Sequence, residues 1–260
     1  PFGWRSEEAV DYAREQIANL LKVDAKEIIF TSGATEADNL AIKGVYEMYA
    51  RKGNHIITLE TEHKAVLDTC KKLEKMGAEV TYLKVDRLGR VDLNELEAAI
   101  KDNTILVSIM WANNETGVIQ DMKAIGEICN RKGVLLMSDA TQAVGKIPTF
   151  PKEVGIHLMA FTSHKMYGPK GVGALFVNRK NPRVKVTAQM DGGGHERGMR
   201  SGTLNVPGIV GFGKAAELAQ KEMAEEAQRL SVLRDKLEKA LCESLEETYI
   251  NGDVENRMPH

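Results

Sequence analysis

The fold of this chain is decided by the stretch Val134-Leu135-Leu136-Met137-Ser138-Asp139-Ala140-Thr141-Gln142. Its apolar first half reads as a buried strand, and a carboxylate follows directly. The same order recurs where the apolar run Leu158-Met159-Ala160-Phe161 leads into Thr162-Ser163-His164-Lys165. In an open parallel sheet, ligands bind beyond the carboxyl ends of the strands. Both stretches are therefore expected to contribute to one site.

Asp139 and Lys165, placed at such an edge, are the groups that a pyridoxal phosphate enzyme requires. The lysine amine forms an imine with the cofactor's aldehyde, and the carboxylate keeps the pyridinium nitrogen protonated so that the ring can accept electrons. An ordinary ion pair at a strand end would place the same residue types here. The rest of the chain has to decide between these two interpretations.

The composition narrows the classes of protein to consider. A chain of 260 residues suffices for one large domain, or one domain and part of a second. The formal net charge of −2 gives no electrostatic reason to expect nucleic acid or an anionic membrane as a partner. Apolar runs such as Ile105 to Trp111 are too short to span a bilayer, and no secretory segment opens the chain. The 3 cysteines lack paired spacing, which predicts the cytoplasm (or the mitochondrial matrix in a eukaryote), without a metal site or disulfide.

A turn rich in glycine and hydroxyl groups follows the short strand Ile28-Ile29-Phe30. Its sequence is Thr31-Ser32-Gly33-Ala34-Thr35-Glu36, and a helix follows to about Tyr49. Free backbone N–H groups at a helix N-terminus suit a phosphate. The same residue types are also common helix caps, so the turn alone does not establish a phosphate site.

Two further strands end in polar side chains. His63 follows the strand His55 to Leu59, where a histidine most often has a capping or surface role. Asn113 and Asn114 follow the apolar strand Thr104 to Trp111, and asparagines in such loops usually form turns. Both positions nevertheless lie on the edge that carries Asp139.

Successive strand ends thus carry polar residues in one phase, in the order strand, polar residue, then helix or loop. These residues are Thr35, His63, Asn114, Asp139 and the pair His164-Lys165. Chance accounts for an isolated case, but the series indicates one assembled pocket. The alternation of strands and helices is also typical of a mostly parallel, doubly wound α/β sheet.

The C-terminal third contains a glycine-rich loop and charged helices. The loop Asp191 to Thr203 could bind an anion through its arginines, or could be a mobile surface loop. A helix is predicted from Val206 to Ala219, and a long charged helix from Lys221 to Glu247 is expected to lead into a second domain. We therefore predict a cofactor-binding large domain over 1–222 and the start of a truncated small domain over 223–260, with a first strand and turn near Tyr249 to Asp253.

Taken together, the motifs closely resemble the NifS/IscS group of cysteine desulfurases, and in particular their housekeeping iron–sulfur cluster branch. The resemblance covers essentially the whole chain. The stretches that carry it are Thr31 to Glu36, Thr61 to Lys64, Asn113 to Glu115, Asp139 to Gln142, Ser163 to Lys165 and Gly192 to Thr203. It implies a class V aminotransferase-like enzyme of pyridoxal phosphate fold type I, with a mostly parallel central sheet flanked by helices.

By position, the resemblance implies a role for each matching residue around the cofactor ring. Lys165 would form the imine, and Asp139 would pair with the pyridinium nitrogen. Gln142 would donate a hydrogen bond to the ring hydroxyl. His63 would stack on the ring and assist proton transfer. Asn114 would lie beside the substrate end of the cofactor.

The resemblance also implies a phosphate site and a reaction. Ala34, Thr35, Thr162 and His164 would hold the phosphate, and Thr203 would reach the phosphate of the partner subunit in a homodimer. L-Cysteine would lose its sulfur to give L-alanine and an enzyme persulfide. The persulfide would serve an iron–sulfur scaffold protein or a tRNA-thiolation partner, without direct contact of this enzyme with nucleic acid or membrane.

One departure from the family pattern is expected to matter. The cysteine that carries the persulfide in this family, the arginine that binds the substrate carboxylate and an N-terminal segment all lie outside residues 1–260, so we expect a fragment that is inactive alone. Cys70, Cys129 and Cys242 are expected to be buried on helices rather than nucleophilic. The alternatives are a selenocysteine lyase or aminotransferase on the same fold, and a non-catalytic partner-binding module.

Overall fold

The computed structural model describes residues 2–260, and it contains a central sheet of 7 strands. The strands are β1 (Ile28–Thr31), β2 (His55–Leu59), β3 (Glu79–Leu83), β4 (Thr104–Ser108), β5 (Leu135–Asp139), β6 (Leu158–Thr162) and β7 (Gly173–Val177). The α-helices are α1 (Phe2–Leu21), α2 (Ala34–Met48), α3 (Lys64–Glu74), α4 (Leu93–Ala99), α5 (Met122–Lys132) and α6 (Val206–Ser244).

The strands follow the order β1-β7-β6-β5-β4-β2-β3. β7 runs antiparallel to its neighbours β1 and β6, whereas β6, β5, β4, β2 and β3 pair in parallel. Parallel strands need crossover connections, which contain helices except between β5 and β6, where turns over 140–157 make the connection. The predicted fold class, a mostly parallel sheet flanked by helices, is confirmed.

Each face of the sheet has its own apolar core. α1, α5 and α6 cover one face. On the other face, Leu106, Met137 and Ala160 belong to one cluster with residues of α2 and α3. Because side chains alternate along a strand, the residue two positions further along each of these strands also faces α2. At the carboxyl edge of β4, β5 and β6, these residues are Ser108, Asp139 and Thr162.

Two helices differ from the sequence-based expectation. Ser6, followed by Glu7 and Glu8, is typical of a helix cap and predicts a helix that starts after it. α1 instead begins at Phe2, and a serine inside a helix costs little compared with glycine or proline. α6 is one helix of 39 residues, where two were predicted. Neither glycine nor proline occurs between Lys214 and Ser244, so nothing interrupts it. None of the helices within residues 2–260 combines the length and hydropathy needed to cross a bilayer.

The last residues of the chain pack back onto the main body. Met258 is buried in the core, and its N–H donates to the carbonyl of Gly117. The backbone of Arg257 forms an antiparallel β-bridge with Val118. The strand predicted near Tyr249 to Asp253 is not formed, since this segment has no regular structure. The division into domains at residues 222 and 223 stays a prediction.

Candidate active site

A cavity of about 510 Å³ opens at the carboxyl edge of the parallel strands. The turns that follow β1, β2, β4, β5 and β6 all contribute to its wall. The predicted site residues that line it are Ala34, Thr35, His63, Asn114, Asp139, Gln142, Thr162, His164 and Lys165. The structure therefore brings together every predicted site residue except Thr203, which is exposed and lies outside this wall.

One end of the cavity is formed by the N-terminus of α2. Gly33 occupies the N-cap position, and no side chain caps this end of the helix. The first N–H groups of α2 therefore remain available, and with the helix dipole they favour an anion. The turn lies close against β7: a Cβ on Gly173 would come within 2.7 Å of the Gly33 Cα. Glycine at position 173 thus lets the strand pass close beneath this turn.

Thr162 and His164 form a hydrogen-bonded pair beside this turn. Thr162 Oγ1 lies 3.1 Å from His164 Nδ1 and donates to the Val172 carbonyl at 3.2 Å. Burial lowers the pKa of His164, and the positive charges of Lys165 and Lys170 lower it further. Lys165 and Lys170 both line the cavity and give this end positive charge.

Asp139 ends β5 and is 5% exposed. It accepts a hydrogen bond from the Thr141 N–H at 2.9 Å. Burial raises the pKa of Asp139, although the hydrogen bond from the Thr141 N–H acts against that rise. Among residues 2–260 no lysine or arginine forms an ion pair with it, and the buried Thr141 hydroxyl also lacks a partner. A buried carboxylate without a cation fits the protonated ring nitrogen of pyridoxal phosphate.

His63 is both a helix cap and a cavity residue. Its Nδ1 accepts a hydrogen bond from the Ala65 N–H at 3.1 Å at the start of α3. Because Nδ1 is the acceptor, the neutral ring carries its proton on Nε2. The capping role considered from the sequence is therefore present, and the capping hydrogen bond also fixes the tautomer of the neutral His63 ring.

The two asparagines after β4 have different contacts. The Asn113 Oδ1 accepts from the N–H groups of Glu115 and Thr116, each at 2.9 Å, and its amide donates to the Thr61 carbonyl at 3.1 Å. Asn114 lines the cavity. The turn-forming role expected for both belongs to Asn113, which leaves Asn114 free to meet a ligand.

Sequence reasoning missed an ion pair at the cavity wall. Glu36, in the first turn of α2, accepts from Arg200 Nε at 2.7 Å and from the Ser32 N–H at 2.7 Å. Arg200 belongs to the glycine-rich loop, which Glu196 also ties to Arg14 of α1 at 2.8 Å. The loop is thus anchored on both sides, unlike the mobile surface loop considered as an alternative. Because Glu36 and Arg200 lie far apart in sequence, no local pattern signalled this pair.

The expectation for the cysteines was correct for two residues and wrong for the third. Cys70 and Cys129 are buried, and burial raises the pKa of each thiol to about 12. Cys242 is exposed, because it lies on an uncovered part of α6. None of the three lines the cavity.

The sheet topology and the lysine–carboxylate cavity at its carboxyl edge define a class of protein, the pyridoxal phosphate enzymes of fold type I. The model of the family described as aminotransferase class-V matches residues 1–260, and the chain belongs to this family. Its members depend on pyridoxal phosphate.

Comparison with individual proteins shows which members of this family the chain is similar to. The chain is 59% identical over 259 residues to "Cysteine desulfurase IscS" of Escherichia coli O139:H28 (strain E24377A / ETEC), covering 100% of this chain and 64% of that protein. A solved structure described as "NIFS-LIKE PROTEIN" matches with a TM-score of 0.94 and 41% identity over 100% of this chain and 70% of that one. Another, "SspA in complex with cysteine", matches with a TM-score of 0.79 and 39% identity over 83% of this chain and 62% of that one. The resemblance predicted from the motifs is confirmed, and the chain spans 64% of the length of the curated relative.

Proposed function

We propose that this chain is the cofactor-binding part of a cysteine desulfurase that removes sulfur from L-cysteine. The observation that carries the proposal is the cavity that Lys165 and the buried Asp139 both line. The similarity to a cysteine desulfurase at 59% identity supports this reaction over others on the same fold. A related structure described as a complex with cysteine supports the substrate.

Pyridoxal phosphate, when bound, supplies an aldehyde that reacts with amines and a protonated ring that withdraws electrons. Lys165 would hold the aldehyde carbon covalently through its amine. Asp139 would hold the proton on the ring nitrogen, and in return the positive ring would keep its carboxylate ionised. Gln142, beside Asp139 in the cavity wall, would donate to the ring hydroxyl.

The phosphate would bind at the N-terminus of α2. Ala34 and Thr35 would offer backbone N–H groups there, and Thr162 and His164 would add side-chain contacts. We also propose a homodimer in which Thr203 contacts the phosphate of the partner subunit. The exposed position of Thr203, outside the cavity of its own chain, agrees with that role.

His63 and Asn114 would serve the substrate. His63 would stack on the ring and move a proton at Nε2, the ring nitrogen that its capping bond leaves free. Asn114 would orient L-cysteine at the opening of the cavity. The sulfur would pass to a cysteine thiolate of the complete enzyme, which leaves L-alanine as the second product.

The sulfur acceptors belong to the same proposal. A persulfide serves proteins that build iron–sulfur clusters or thiolate tRNA, and the similarity to IscS supports such acceptors in the cytoplasm. Cys70 and Cys129 are unsuited to carry the persulfide because both thiols are buried. Cys242 is exposed but does not line the cavity.

Borohydride reduction of the chain loaded with pyridoxal phosphate tests the cofactor site. Peptide mapping should find the pyridoxyl mass on Lys165, and Lys165→Ala should abolish it. Lys170→Ala is the matched control, since Lys170 lines the same cavity and its loss should leave the label in place. Label on Lys170 in the unaltered chain would refute the assignment of Lys165.

A second measurement concerns the sulfur step. The loaded chain, given L-cysteine and a reductant, should show a change in cofactor absorbance without accumulating sulfide or alanine. Positioning of the reacting groups is worth roughly 7 kcal/mol or more of a barrier, and no thiol of this chain lies at the cavity. Steady sulfide release that disappears in Cys242→Ser would identify that residue as the nucleophile and overturn this expectation.

A further inference from the structure

Asp38 is an acidic residue in the interior of the protein. It lies one turn into α2 on the face that packs against the sheet, and it is 0% exposed. Both of its carboxyl oxygens are buried without a hydrogen-bond partner among the described residues. An ionised carboxylate in such a place would have neither a donor nor a cation to offset its desolvation.

Glu62 is a second buried acid near the same edge. It directly precedes His63 and is 5% exposed. Its Oε1 accepts from the Met110 N–H at 2.7 Å, whereas its Oε2 is buried without a partner. The Ser108 hydroxyl, on the α2 face of β4, is likewise buried and unpartnered. Unsatisfied polar atoms therefore concentrate between α2 and the carboxyl edge of the sheet.

Asp38, Glu62 and Asp139 influence one another electrostatically. Burial raises the pKa of Asp38 well above its usual range, and the negative charges of Asp139 and Glu62 raise it further. Burial also raises the pKa of Glu62 strongly, with a further rise from Asp139 that the Met110 hydrogen bond only partly opposes. Interacting like charges in a buried site oppose one another's ionisation, so we expect the protons to distribute unequally among the three groups.

The local contacts decide which group is ionised. Asp139 has the Thr141 N–H donor and access to the cavity. Asp38 has no donor and no access to the cavity wall. Glu62 is intermediate, with one donor and no place in that wall. The charge is therefore best accommodated on Asp139, and least well on Asp38.

We propose that Asp38 and Glu62 are positioning residues that stay protonated at neutral pH and so confine the negative charge of this buried cluster to Asp139. The inference rests on the proposed function, because it gives these residues a role behind the carboxylate that would face the cofactor ring. A single negative charge at Asp139 matches a single protonated ring nitrogen. A second charge on Asp38 would raise the proton affinity of Asp139 and weaken that pairing.

Infrared spectroscopy of the cofactor-free chain tests the protonation directly. A protonated carboxyl absorbs apart from an ionised one, and its band shifts in D₂O. At neutral pH the unaltered chain should show this band, Asp38→Asn should weaken it, and the pair Asp38→Asn/Glu62→Gln should remove it. Asp68→Asn is the matched control, because Asp68 is an exposed aspartate on α3. An undiminished band in Asp38→Asn would overturn the proposal.

Binding of pyridoxal phosphate tests the positioning role. Asp38→Asn keeps a neutral polar group of the same shape, so its dissociation constant and cofactor spectrum should stay within about twofold of the unaltered chain. Asp38→Ala removes that group and should weaken binding about tenfold. Rescue by asparagine shows that a neutral group, and not a charge, is needed. Equal weakening in both variants, or no weakening in Asp38→Ala, would overturn the role.

Two further arms keep the test decisive. Glu62→Gln repeats the comparison at the second acid, where the retained Oε1 can still accept from Met110, in case Asp38→Ala fails to fold. Failure of the unaltered chain to bind pyridoxal phosphate would refute the proposed function before any variant is made. The infrared band, measured without cofactor, reports the protonation of Asp38 independently of that outcome.

Discussion

Two buried carboxylate regions of this molecule are partnered in opposite ways. Glu196, in the glycine-rich loop, accepts hydrogen bonds from the two terminal guanidinium nitrogens of Arg14 at 2.8 and 2.9 Å and from the Phe30 N–H at 2.7 Å. Within residues 2–260, Asp38 receives no hydrogen bond, and the Asp139 carboxylate receives only that of the Thr141 N–H. All of these acids are at most 7% exposed, so burial does not distinguish the two regions.

The difference in partners separates structure from function. A buried charge that is fully paired holds chain segments together, and Glu196 ties the loop to α1 and β1, which are distant in sequence. A buried acid left without partners is a cost that a protein accepts where a ligand or a proton is to be bound. The partnered region thus anchors the loop, and the unpartnered region is the one to which the proposed function assigns the chemistry.

The largest effect on stability should come from breaking the partnered region. Arg14→Leu leaves Glu196 buried without its cation, and the loss of one partner of a buried pair costs about 3–5 kcal/mol. Urea unfolding of the cofactor-free chain measures this. The matched control is Arg200→Leu, which breaks the more exposed pair with Glu36 and should cost about 1 kcal/mol or less. Equal losses in the two variants would mean that the burial of the Arg14 pair has no special weight.

Asp139→Asn should have the opposite profile. It removes a buried carboxylate that has no cation, so the cofactor-free chain should keep or gain stability at neutral pH. Binding of pyridoxal phosphate should weaken, because a hydrogen bond to a charged group contributes about 1.5–3 kcal/mol, or roughly 10- to 100-fold in affinity. Urea unfolding and a spectroscopic titration measure the two quantities. A variant that is less stable and binds normally would place Asp139 with the structural acids.

The unpartnered region should also make stability depend on pH. Burial raises the pKa of Asp38, Glu62 and Asp139 in the folded chain. The contribution of these acids to the free energy of unfolding is fully present below their pKa values in the unfolded chain, at about pH 4. It is lost as the pH rises through their pKa values in the folded chain. His157 has the opposite effect on stability, because burial lowers its pKa in the folded chain to about 4. Its contribution to the free energy of unfolding is lost as the pH falls below its unfolded pKa of about 6.5.

The two contributions can be separated by substitution. The double variant Asp38→Asn/Glu62→Gln should lose less stability than the unaltered chain as the pH is raised from about 4 toward neutral, because both acids are replaced by neutral amides. Urea unfolding at a series of pH values measures the two slopes. Identical slopes would show that these acids titrate alike in the folded and unfolded states.

The sequence predicted the fold and most of the cavity because both follow from local patterns. Apolar runs such as Leu135 to Met137 fix the strands, and the polar residue after each run reaches the carboxyl edge that all parallel strands share. Thr35, His63 and Asn114 could be placed on this edge without knowing any contact.

Features that depend on distant parts of the chain were not predicted. The pairs Arg14–Glu196 and Glu36–Arg200 join residues far apart in sequence, and no periodicity signals such pairs. Asp38 did leave a signal, since it shares the buried face of α2 with residues one and two turns later such as Ile42 and Val45. An acid on an apolar helical face is rarely buried without a reason, and that pattern can be searched for in sequence.

The smallest expected effect sharpens the same comparison within two adjacent residues. Asn113 is partnered by the Glu115 and Thr116 N–H groups and the Thr61 carbonyl, whereas Asn114 faces the cavity. Asn113→Ala should therefore cost about 1 kcal/mol of stability, as the loss of a side-chain cap does. Asn114→Ala should change stability by less than about 0.5 kcal/mol and weaken the response of the cofactor spectrum to L-cysteine. Urea unfolding and absorbance titration of both variants measure this, and a larger stability loss in Asn114→Ala would show that lack of partners does not mark the functional residue of the two.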